Sequence, residues 1–309
     1  MKVLIVATHH NIFEQKIGAQ YRIYNIAKQV SEKGCQVQIL QPDRFEIAHP
    51  TFKHFKFREH KFLFLKSLGW DYMPLLTDMN IDYILTMRRI LKAEQPDIVQ
   101  IEYPWGVIAT KLLSFISRTK TSVIYDSHDV EYSLIQQFVR KTLLCSGCSL
   151  KYLAKPFMAY IYLQEKIACK IADHIFTVSK EDKAAFQDMY DIKSDKITVI
   201  PSGVNILTPN AFKRMSDDEI HRKFQINGTN PKIIFHGAYT HFPNYEAIKI
   251  IETVIAPNLP DYDFIVAGTQ MPKIKKGNVH YLGFVEDLQS LLATVHIAIV
   301  PIENGGGTR

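Results

Sequence analysis

The chain has 309 residues, of which 47% are hydrophobic and 22% are charged, and its formal net charge at pH 7 is +6. This length exceeds the size at which one hydrophobic core usually stops growing, so two domains are expected, and the composition excludes a disordered or low-complexity protein. The positive charge is modest, and we expect no nucleic-acid partner.

The first predicted element is the apolar run in "MKVLIVATHH", which gives way to histidines. The run is too short for a signal peptide and is typical of a buried strand. Lysines interrupt the most apolar helical region of the chain, so no uncharged span reaches the roughly 18 residues that a membrane-spanning helix needs. We therefore expect a cytoplasmic protein.

Short apolar runs rich in β-branched residues alternate with stretches of helical period along the first two thirds of the chain. This alternation predicts a doubly wound parallel sheet covered by helices. Its strands are predicted at Val3–Ala7, Gln36–Leu40, Ile98–Ile101, Ser122–Tyr125, His174–Val178 and Ile197–Ile200.

The alternation begins again after "VIPSGVN" and a short helix that Ser216 and Glu219 open as a capping box. Two Rossmann-like units in tandem place a crevice between the carboxyl ends of two sets of strands, where ligands of open α/β sheets bind. The predicted domains are residues 1–204 and 205–309. The strands predicted in the second domain are Lys232–Phe235, Phe264–Ala267, His280–Leu282 and Ile297–Val300.

The segment "TFKHFKFREHKFLFLK" interleaves basic residues with phenylalanines. Such alternation is typical of a strand with one solvent-exposed face. Basic charge and aromatic rings also favour contact with anionic lipid headgroups or a phosphorylated acceptor. The sequence is compatible with both, so a peripheral position on the inner face of the cytoplasmic membrane is an alternative location.

Metal and cofactor sites are not predicted. Cys145 and Cys148 form one CxxC pair, but no second pair of ligands with suitable spacing lies nearby. The sequence contains neither G-x-G-x-x-G after a first strand nor G-x-x-x-x-G-K-[ST], so neither a dinucleotide cofactor nor a P-loop nucleotide site is supported.

Candidate functional residues follow the predicted strands of the first domain. Gly18 and Arg22 lie at the start of the helix after the first strand, where free N–H groups suit an anion or a hydroxyl-rich ligand. A simple strand-to-helix connection fits that feature equally well. The segment "YDSHDVEYS" places Asp126, His128 and Glu131 at the carboxyl end of the fourth predicted strand, where α/β enzymes keep functional groups. Acidic residues before a helix are also candidate N-caps, and Asp129 or Asp126 fits that role.

The second domain repeats this theme with glycines. Gly237, Gly268 and Gly283 each lie where a strand runs into its loop. The chain then reaches "PIENGGGTR", in which glycines allow backbone N–H groups to approach an anion and an arginine can neutralise it. These features predict a phosphate-bearing ligand.

In this order, "IGAQYR", "DSHDVE", "VIPSGVN", "FHGAYTHFPNYEAI", "YLGFVEDL" and "IVPIENGGGTR" resemble the retaining GT-B glycosyltransferases of family 4. The resemblance implies an α/β fold with two tandem Rossmann-like doubly wound parallel-sheet domains that face a cleft. It implies that the first domain binds a carbohydrate or lipid-linked acceptor and the second a nucleotide-diphospho-sugar. Transfer would retain the anomeric configuration and need neither a metal nor a cofactor.

The resemblance also implies individual roles. His128 matches the histidine of the family's D-x-H-x-x-E segment, which contacts the donor sugar near the reacting carbon, and is the expected catalytic residue. The expected donor-binding residues are Gly18, Gly237, Gly268, Gly305, Gly306, Gly307, Thr308 and Arg309. The acceptor-side candidates are Arg22, Asp126 and Glu131.

The sequence departs from the family pattern in its donor half. No arginine or lysine precedes Lys249 after the first donor-domain strand, and the second glutamate of the family's E-x7-E motif would lie beyond Arg309. We therefore expect an incomplete second domain, a fragment of a longer enzyme and weakened donor binding.

Two other functions are compatible with these motifs. A GT-B-fold sugar-nucleotide epimerase would use carboxylates such as those of "DSHDVE" for elimination. A non-catalytic sugar-nucleotide or polysaccharide binding protein would not need the E-x7-E motif. The donor sugar, its base and the acceptor depend on pocket shape rather than on short motifs.

Overall fold

The computed structural model describes residues 1–15, 17–45, 51–59, 74–140, 151–203, 214–226 and 230–303. The described residues form two compact units that divide after Gly203. The predicted phosphate-binding residues 305–309, the CxxC pair and the second half of the basic and aromatic segment lie outside the described residues.

The first unit contains a sheet whose pairings are all parallel, in the order β3-β2-β1-β4-β5-β6-β7. All six strands predicted for this domain are present, and the basic and aromatic segment adds another. The strands are β1 (Lys2–Ala7), β2 (Gln36–Pro42), β3 (Lys53–Phe57), β4 (Ile98–Glu102), β5 (Ser122–Asp126), β6 (His174–Thr177) and β7 (Ile197–Val199).

The strand order reverses between β1 and β4. Strand β1 pairs with β2 on one side and with β4 on the other, so the chain winds outward from this point in both directions. Ligands of doubly wound sheets bind in the crevice outside the carboxyl ends of the strands at such a reversal.

Helices cover both faces of this sheet. They are α1 (Gly18–Glu32), α2 (Ile81–Ala93), α3 (Val107–Ile116), α4 (Glu131–Val139), α5 (Lys151–Ile171) and α6 (Lys180–Tyr190). Side chains of β1 alternate between two cores: Val3 and Ile5 pack with α1, and Leu4 and Val6 pack with α2 and α3. Burial on both faces explains why the first strand is a continuous apolar run. No helix in the described parts of the chain is long and apolar enough to cross a bilayer.

Strand β3 is the half-buried strand that the alternation of lysine and phenylalanine predicts. Lys53 and Lys56 are exposed, whereas Phe57 is buried. Contact of this segment with lipid stays a prediction.

The second unit contains a sheet in the order β10-β11-β9-β8-β12. Its elements are α7 (Asp217–Phe224), β8 (Lys232–His236), α8 (Phe242–Ile250), β9 (Asp263–Ala267), β10 (Lys273–Lys276), β11 (Val279–Gly283), α9 (Leu288–Thr294) and β12 (Ile297–Ala298). The capping box before α7 is confirmed, since Glu219 N–H donates to Ser216 Oγ (3.2 Å) and Ser216 N–H donates to Glu219 Oε2 (2.8 Å).

Strand β10 corrects the prediction of a wholly parallel second sheet. It pairs antiparallel with β11, so the sheet is mixed. All four of its residues are exposed and three are lysines, so the segment lacks the apolar pattern by which the other strands are recognised. Lysine-rich edge strands also resist pairing with other chains.

Candidate functional site

Histidine, tyrosine and carboxyl side chains meet at the reversal point of the first sheet. His9 and His10 follow β1, Glu102 ends β4 and Tyr103 follows it, and His128 comes two residues after the end of β5. The carboxyl ends of three adjacent strands thus supply one cluster of side chains.

His128 is held by two residues of the β4 end. Its Nε2 lies 2.8 Å from Glu102 Oε2, and its ring stacks on Tyr103 with centroids 4.8 Å apart and an interplanar angle of 14°. The histidine is 8% exposed. Since Nε2 is committed to Glu102, Nδ1 is the nitrogen left for a ligand.

Tyr103 reaches this position through an unusual backbone. Its φ is +70°, in the left-handed region that residues other than glycine rarely adopt. Its N–H donates to the carbonyl of Asp126 (3.1 Å), which ties the β4 end to the β5 end. Backbone strain of this kind is concentrated at functional sites.

Glu102 belongs to a buried polar chain that runs into the protein. Gln100 Nε2 donates to Glu102 Oε1 and to Asp126 Oδ2, both at 2.9 Å. Arg22 donates to Asp126 Oδ1 (2.9 Å) and to the carbonyl of Ile200 (2.7 Å). Gln100 and Glu102 are two residues apart on one strand and therefore share a face of the sheet.

Burial controls the charge of this chain. It raises the pKa of Glu102 to about 7, against the hydrogen bond from Gln100 and the positive charge of Arg22. Burial and the charge of Glu102 raise the pKa of Asp126 to about 6. Burial lowers the pKa of His128 to about 4. At neutral pH the imidazole is therefore uncharged, and Asp126 is ionised beside Arg22.

His9 and His10 extend the cluster on the β1 side. His10 Nε2 lies 3.0 Å from Tyr103 Oη, and the His9 ring centroid lies 5.2 Å from that of Tyr103. Burial is the main cause that lowers the pKa of His9 to about 4 and that of His10 to about 3. The site thus presents uncharged rings whose N and O–H groups can exchange hydrogen bonds with hydroxyls.

Several buried polar atoms beside this cluster have no hydrogen-bond partner. Among the described residues these include Thr8 Oγ1, His9 Nδ1 and Arg22 Nε. A buried polar group without a partner costs about 1–3 kcal/mol, so native proteins seldom leave one unpaired. Their presence at the reversal point indicates that water or a ligand completes the site.

Glu131 lies at the first turn of α4 beside a second buried carboxyl. Its N–H donates to Glu165 Oε1 (3.0 Å), which belongs to α5. Glu165 also accepts from Tyr132 N–H, Tyr125 Oη and Tyr190 Oη. Burial, together with the nearby charge of Glu165, raises the pKa of Glu131 well above its ordinary value.

The interpretation of Asp126 as an N-cap is wrong. Helix α4 has Val130 at its N-cap, and the carboxylate of Asp126 is bound to Arg22 and Gln100 instead. Glu165 does the capping from another helix, an arrangement that residue order cannot indicate.

Gly18 begins α1, and a Cβ atom placed on it would meet no other atom within 4 Å. The space beside it is open. Arg22, one turn further along, is 6% exposed, because its guanidinium is bound to Asp126 and to the carbonyl of Ile200. The structure thus places two of the three acceptor-side candidates, Arg22 and Asp126, together in the interior of the first unit.

Gly237, Gly268 and Gly283 meet in the second unit. Gly268 N–H donates to the carbonyl of Gly283 (2.9 Å), and Gly237 N–H donates to that of Ala267 (3.0 Å). A Cβ atom on Gly268 would lie 1.8 Å from the carbonyl oxygen of Gly237. The packing of one strand end against another therefore requires Gly268, whether or not a ligand binds there.

Glu102, Tyr103, His9 and His10 were not selected from the sequence. The segments "ATHH" and "QIEYPWG" follow predicted strands in the same way as "DSHDVE". That signal would have identified them once β1, β4 and β5 were known to be neighbours. In the described parts of the chain, no group of three or more metal-binding side chains has an arrangement suited to a metal ion.

Comparisons with known proteins relate the chain to glycosyltransferases. The family model described as Glycosyltransferase Family 4 matches residues 17–206. No curated protein matches the chain.

Several solved structures share its fold. Sucrose-phosphate synthase from Thermosynechococcus elongatus matches with a TM-score of 0.70 and 11% identity, over 99% of this chain and 77% of that chain. HepE from Anabaena, in complex with UDP-glucose, matches with a TM-score of 0.64 and 14% identity, over 99% of this chain and 75% of that chain. WaaG, a glycosyltransferase involved in lipopolysaccharide biosynthesis, matches with a TM-score of 0.60 and 14% identity, over 98% of this chain and 75% of that chain. At such low sequence identities, the structural likeness establishes only the fold, which is GT-B.

Proposed function

The chain belongs to glycosyltransferase family 4 and has the GT-B fold, and we propose that it transfers a sugar from a nucleotide-diphospho-sugar to a hydroxyl of a carbohydrate or lipid-linked acceptor. The observation that carries the proposal is the cluster of uncharged rings around His128 at the reversal point of the first sheet. Neutral imidazole nitrogens exchange hydrogen bonds with hydroxyls without the cost of desolvating a charge.

The donor proposal is supported by what related folds bind. Structures of HepE contain UDP or UDP-glucose. In this chain we assign the diphosphate to Gly18 and to residues 305–309, and the remaining donor contacts to Gly237 and Gly268. Free N–H groups at the start of a 15-residue helix such as α1 favour an anion.

We propose that transfer retains the anomeric configuration by front-face attack. The acceptor oxygen forms its bond to the anomeric carbon as the bond from that carbon to the diphosphate breaks, and the acceptor proton passes to a diphosphate oxygen. Double displacement would need a carboxylate free to attack the sugar. Glu102 and Asp126 are fully buried and hydrogen-bonded to Gln100, so neither suits that role.

The test is turnover with a panel of nucleotide sugars, chosen by the rise in melting temperature that each one causes in the protein. His128→Ala should lower kcat/KM on the order of 100-fold, since it removes a hydrogen-bonding group beside the reacting sugar. His174→Ala is the matched control, because His174 begins β6 at the opposite end of the same sheet. Its activity should equal that of the wild type.

Other outcomes distinguish the alternatives. Undiminished turnover in His128→Ala would remove that residue from the site. A C2-inverted nucleotide sugar formed without acceptor would identify an epimerase, and binding without turnover would identify a binding protein. The anomeric configuration of the product tests retention, and turnover after chelation of divalent cations tests the proposed independence of metal.

We further propose a peripheral contact with anionic membranes through α2 and α3. The two helices pack against each other over one face of the first sheet. Their solvent sides carry Ile81 and Leu85 on α2, and Leu112, Phe115 and Ile116 on α3, all more than half exposed. The same side of α2 carries the exposed basic residues Arg88, Arg89 and Lys92. Apolar side chains flanked by basic ones suit an anionic lipid surface.

A further inference from the structure

The bond between Glu102 and His128 constrains where a proton can reside. Glu102 Oε2 and His128 Nε2 are 2.8 Å apart, which requires a hydrogen between them. With one proton on the pair, that proton lies in the bridge, and His128 Nδ1 is bare and accepts hydrogen bonds. With two protons, one bridges and the second is on Nδ1, which then donates.

This result does not depend on which group owns the bridging proton. A carboxylic acid that donates to a neutral ring and a carboxylate that accepts from an imidazolium both leave a hydrogen on Nδ1. Gain of one proton by the pair therefore converts Nδ1 from an acceptor into a donor. We propose that Glu102 is the positioning residue that sets the tautomer of His128, and thereby the hydrogen bond that His128 offers to the bound sugar.

The surroundings hold the ring in one orientation. Stacking on Tyr103, at 4.8 Å and 14°, fixes the plane of the imidazole. A ring flip would remove Nε2 from Glu102 and leave a buried carboxyl oxygen without its partner. The second oxygen, Oε1, is already held by Gln100 at 2.9 Å.

The charged and titratable groups around the pair come from several elements. Asp126 on β5 and Arg22 on α1 are bound to each other, so their charges largely compensate. His9 and His10 after β1 are neutral at pH 7, and the charges of Asp129 and Glu131 act on Tyr103 from the α4 side. Burial raises the pKa of Glu102 to about 7, so the pair gains its second proton as the pH falls through the neutral range.

Glu102→Gln should lock the tautomer. Gln100 Nε2 donates toward the position of Oε1, so the new side chain keeps its carbonyl oxygen there. Its amide nitrogen then faces His128 and donates to Nε2. The ring must carry its own proton on Nδ1, as in the low-pH form of the wild type, and this state has no carboxyl to titrate.

Nitrogen NMR of the ¹⁵N-histidine-labelled protein tests this directly. The signals of His128 are those that disappear in His128→Gln. In the wild type, Nδ1 should be unprotonated at high pH and protonated at low pH, with a midpoint near neutral pH. In Glu102→Gln, Nδ1 should be protonated throughout. A wild-type Nδ1 that keeps one state across this range, or a variant that still switches, would overturn the proposal.

Asp263→Asn is the matched control. His280 Nε2 lies 2.9 Å from Asp263 Oδ1, a similar buried pair in the second unit. This variant should change the His280 signals and leave those of His128 unchanged.

The consequence for the sugar rests on the proposed function and has a separate readout. The kcat/KM of Glu102→Gln should match that of the low-pH form of the wild type at every pH. A flat wild-type profile together with the NMR switch would refute the link to the sugar. Absence of any turnover would refute the proposed function and leave the tautomer result standing.

Discussion

At the scale of one residue, Arg22 has a structural role that its position in the sequence does not indicate. Its position one turn into α1 indicates a ligand contact, but its guanidinium binds Asp126 at 2.9 Å in the interior. The two side chains are 3% and 0% exposed. Such a pair supports the site from beneath and does not line its surface. Gln100 Nε2 donates hydrogen bonds both to Asp126 and to Glu102, and so links the pair to Glu102.

Arg22→Ala should therefore destabilise the protein by about 3–5 kcal/mol, because it leaves Asp126 buried without its counter-charge. The free energy of unfolding in urea measures this. Lys28→Ala is the control, since Lys28 pairs with Glu32 at 3.8 Å on the exposed side of the same helix. That exposed pair contributes about 0–1 kcal/mol. Similar losses in the two variants would contradict the structural role of Arg22.

At the scale of elements, two glycines occupy their positions under different structural conditions in the two units. Gly268 is required by contact between strand ends, where a Cβ atom would lie 1.8 Å from the Gly237 carbonyl oxygen. Gly18 has open space around it at the start of α1. Packing thus accounts for Gly268, whereas the space beside Gly18 gives no packing reason for a glycine there.

The substitutions Gly268→Ala and Gly18→Ala should accordingly separate stability from binding. Gly268→Ala should destabilise the second unit by about 2–3 kcal/mol or more, because backbone must move. Gly18→Ala should be neutral or stabilising by up to about 1 kcal/mol, since alanine favours a helix. If Gly18 faces the diphosphate, Gly18→Ala will reduce the rise in melting temperature that UDP, GDP or ADP causes. An unchanged rise would remove Gly18 from the donor site.

Exposed apolar side chains matter at the scale of the whole molecule where they lie beside basic side chains, because that combination suits an anionic lipid surface. The solvent sides of α2 and α3 combine them with basic residues, and Phe115 is 81% exposed. Exposed patches of this kind mark interaction surfaces. Each basic side chain near an anionic membrane contributes about 1 kcal/mol, and salt screens that attraction.

The protein should therefore sediment with vesicles of phosphatidylglycerol and phosphatidylcholine, and not with phosphatidylcholine alone. The double variant Phe115→Ser and Ile116→Ser should lose most of this binding. Val254→Ser is the control, since Val254 is an exposed apolar residue of the second unit. Equal binding by both variants would refute the proposal that α2 and α3 bind lipid. If the protein instead forms a concentration-dependent dimer that only the double variant disrupts, the surface is an interface with a second copy of the chain.

Local patterns in the sequence were sufficient for much of the architecture. Apolar runs of strand length, the helical stretches between them and the capping box of Ser216 and Glu219 are short-range signals, and each was confirmed. Strand β10 was missed because its exposed lysines carry no apolar signal, although its antiparallel partner β11 follows after only two residues. The ordered set of loop motifs also indicated the family that matches residues 17–206.

The composition of the site depended on which strands are neighbours. His128 could be selected from its own segment, but its partners Glu102 and Tyr103 lie 26 and 25 positions earlier and meet it because β4 pairs with β5. Burial then neutralises the imidazole and raises the pKa of the carboxyl beside it. The sequence by itself determines which residue types are present. The distances between them and their desolvation arise only when the sheet forms, and these determine where protons reside.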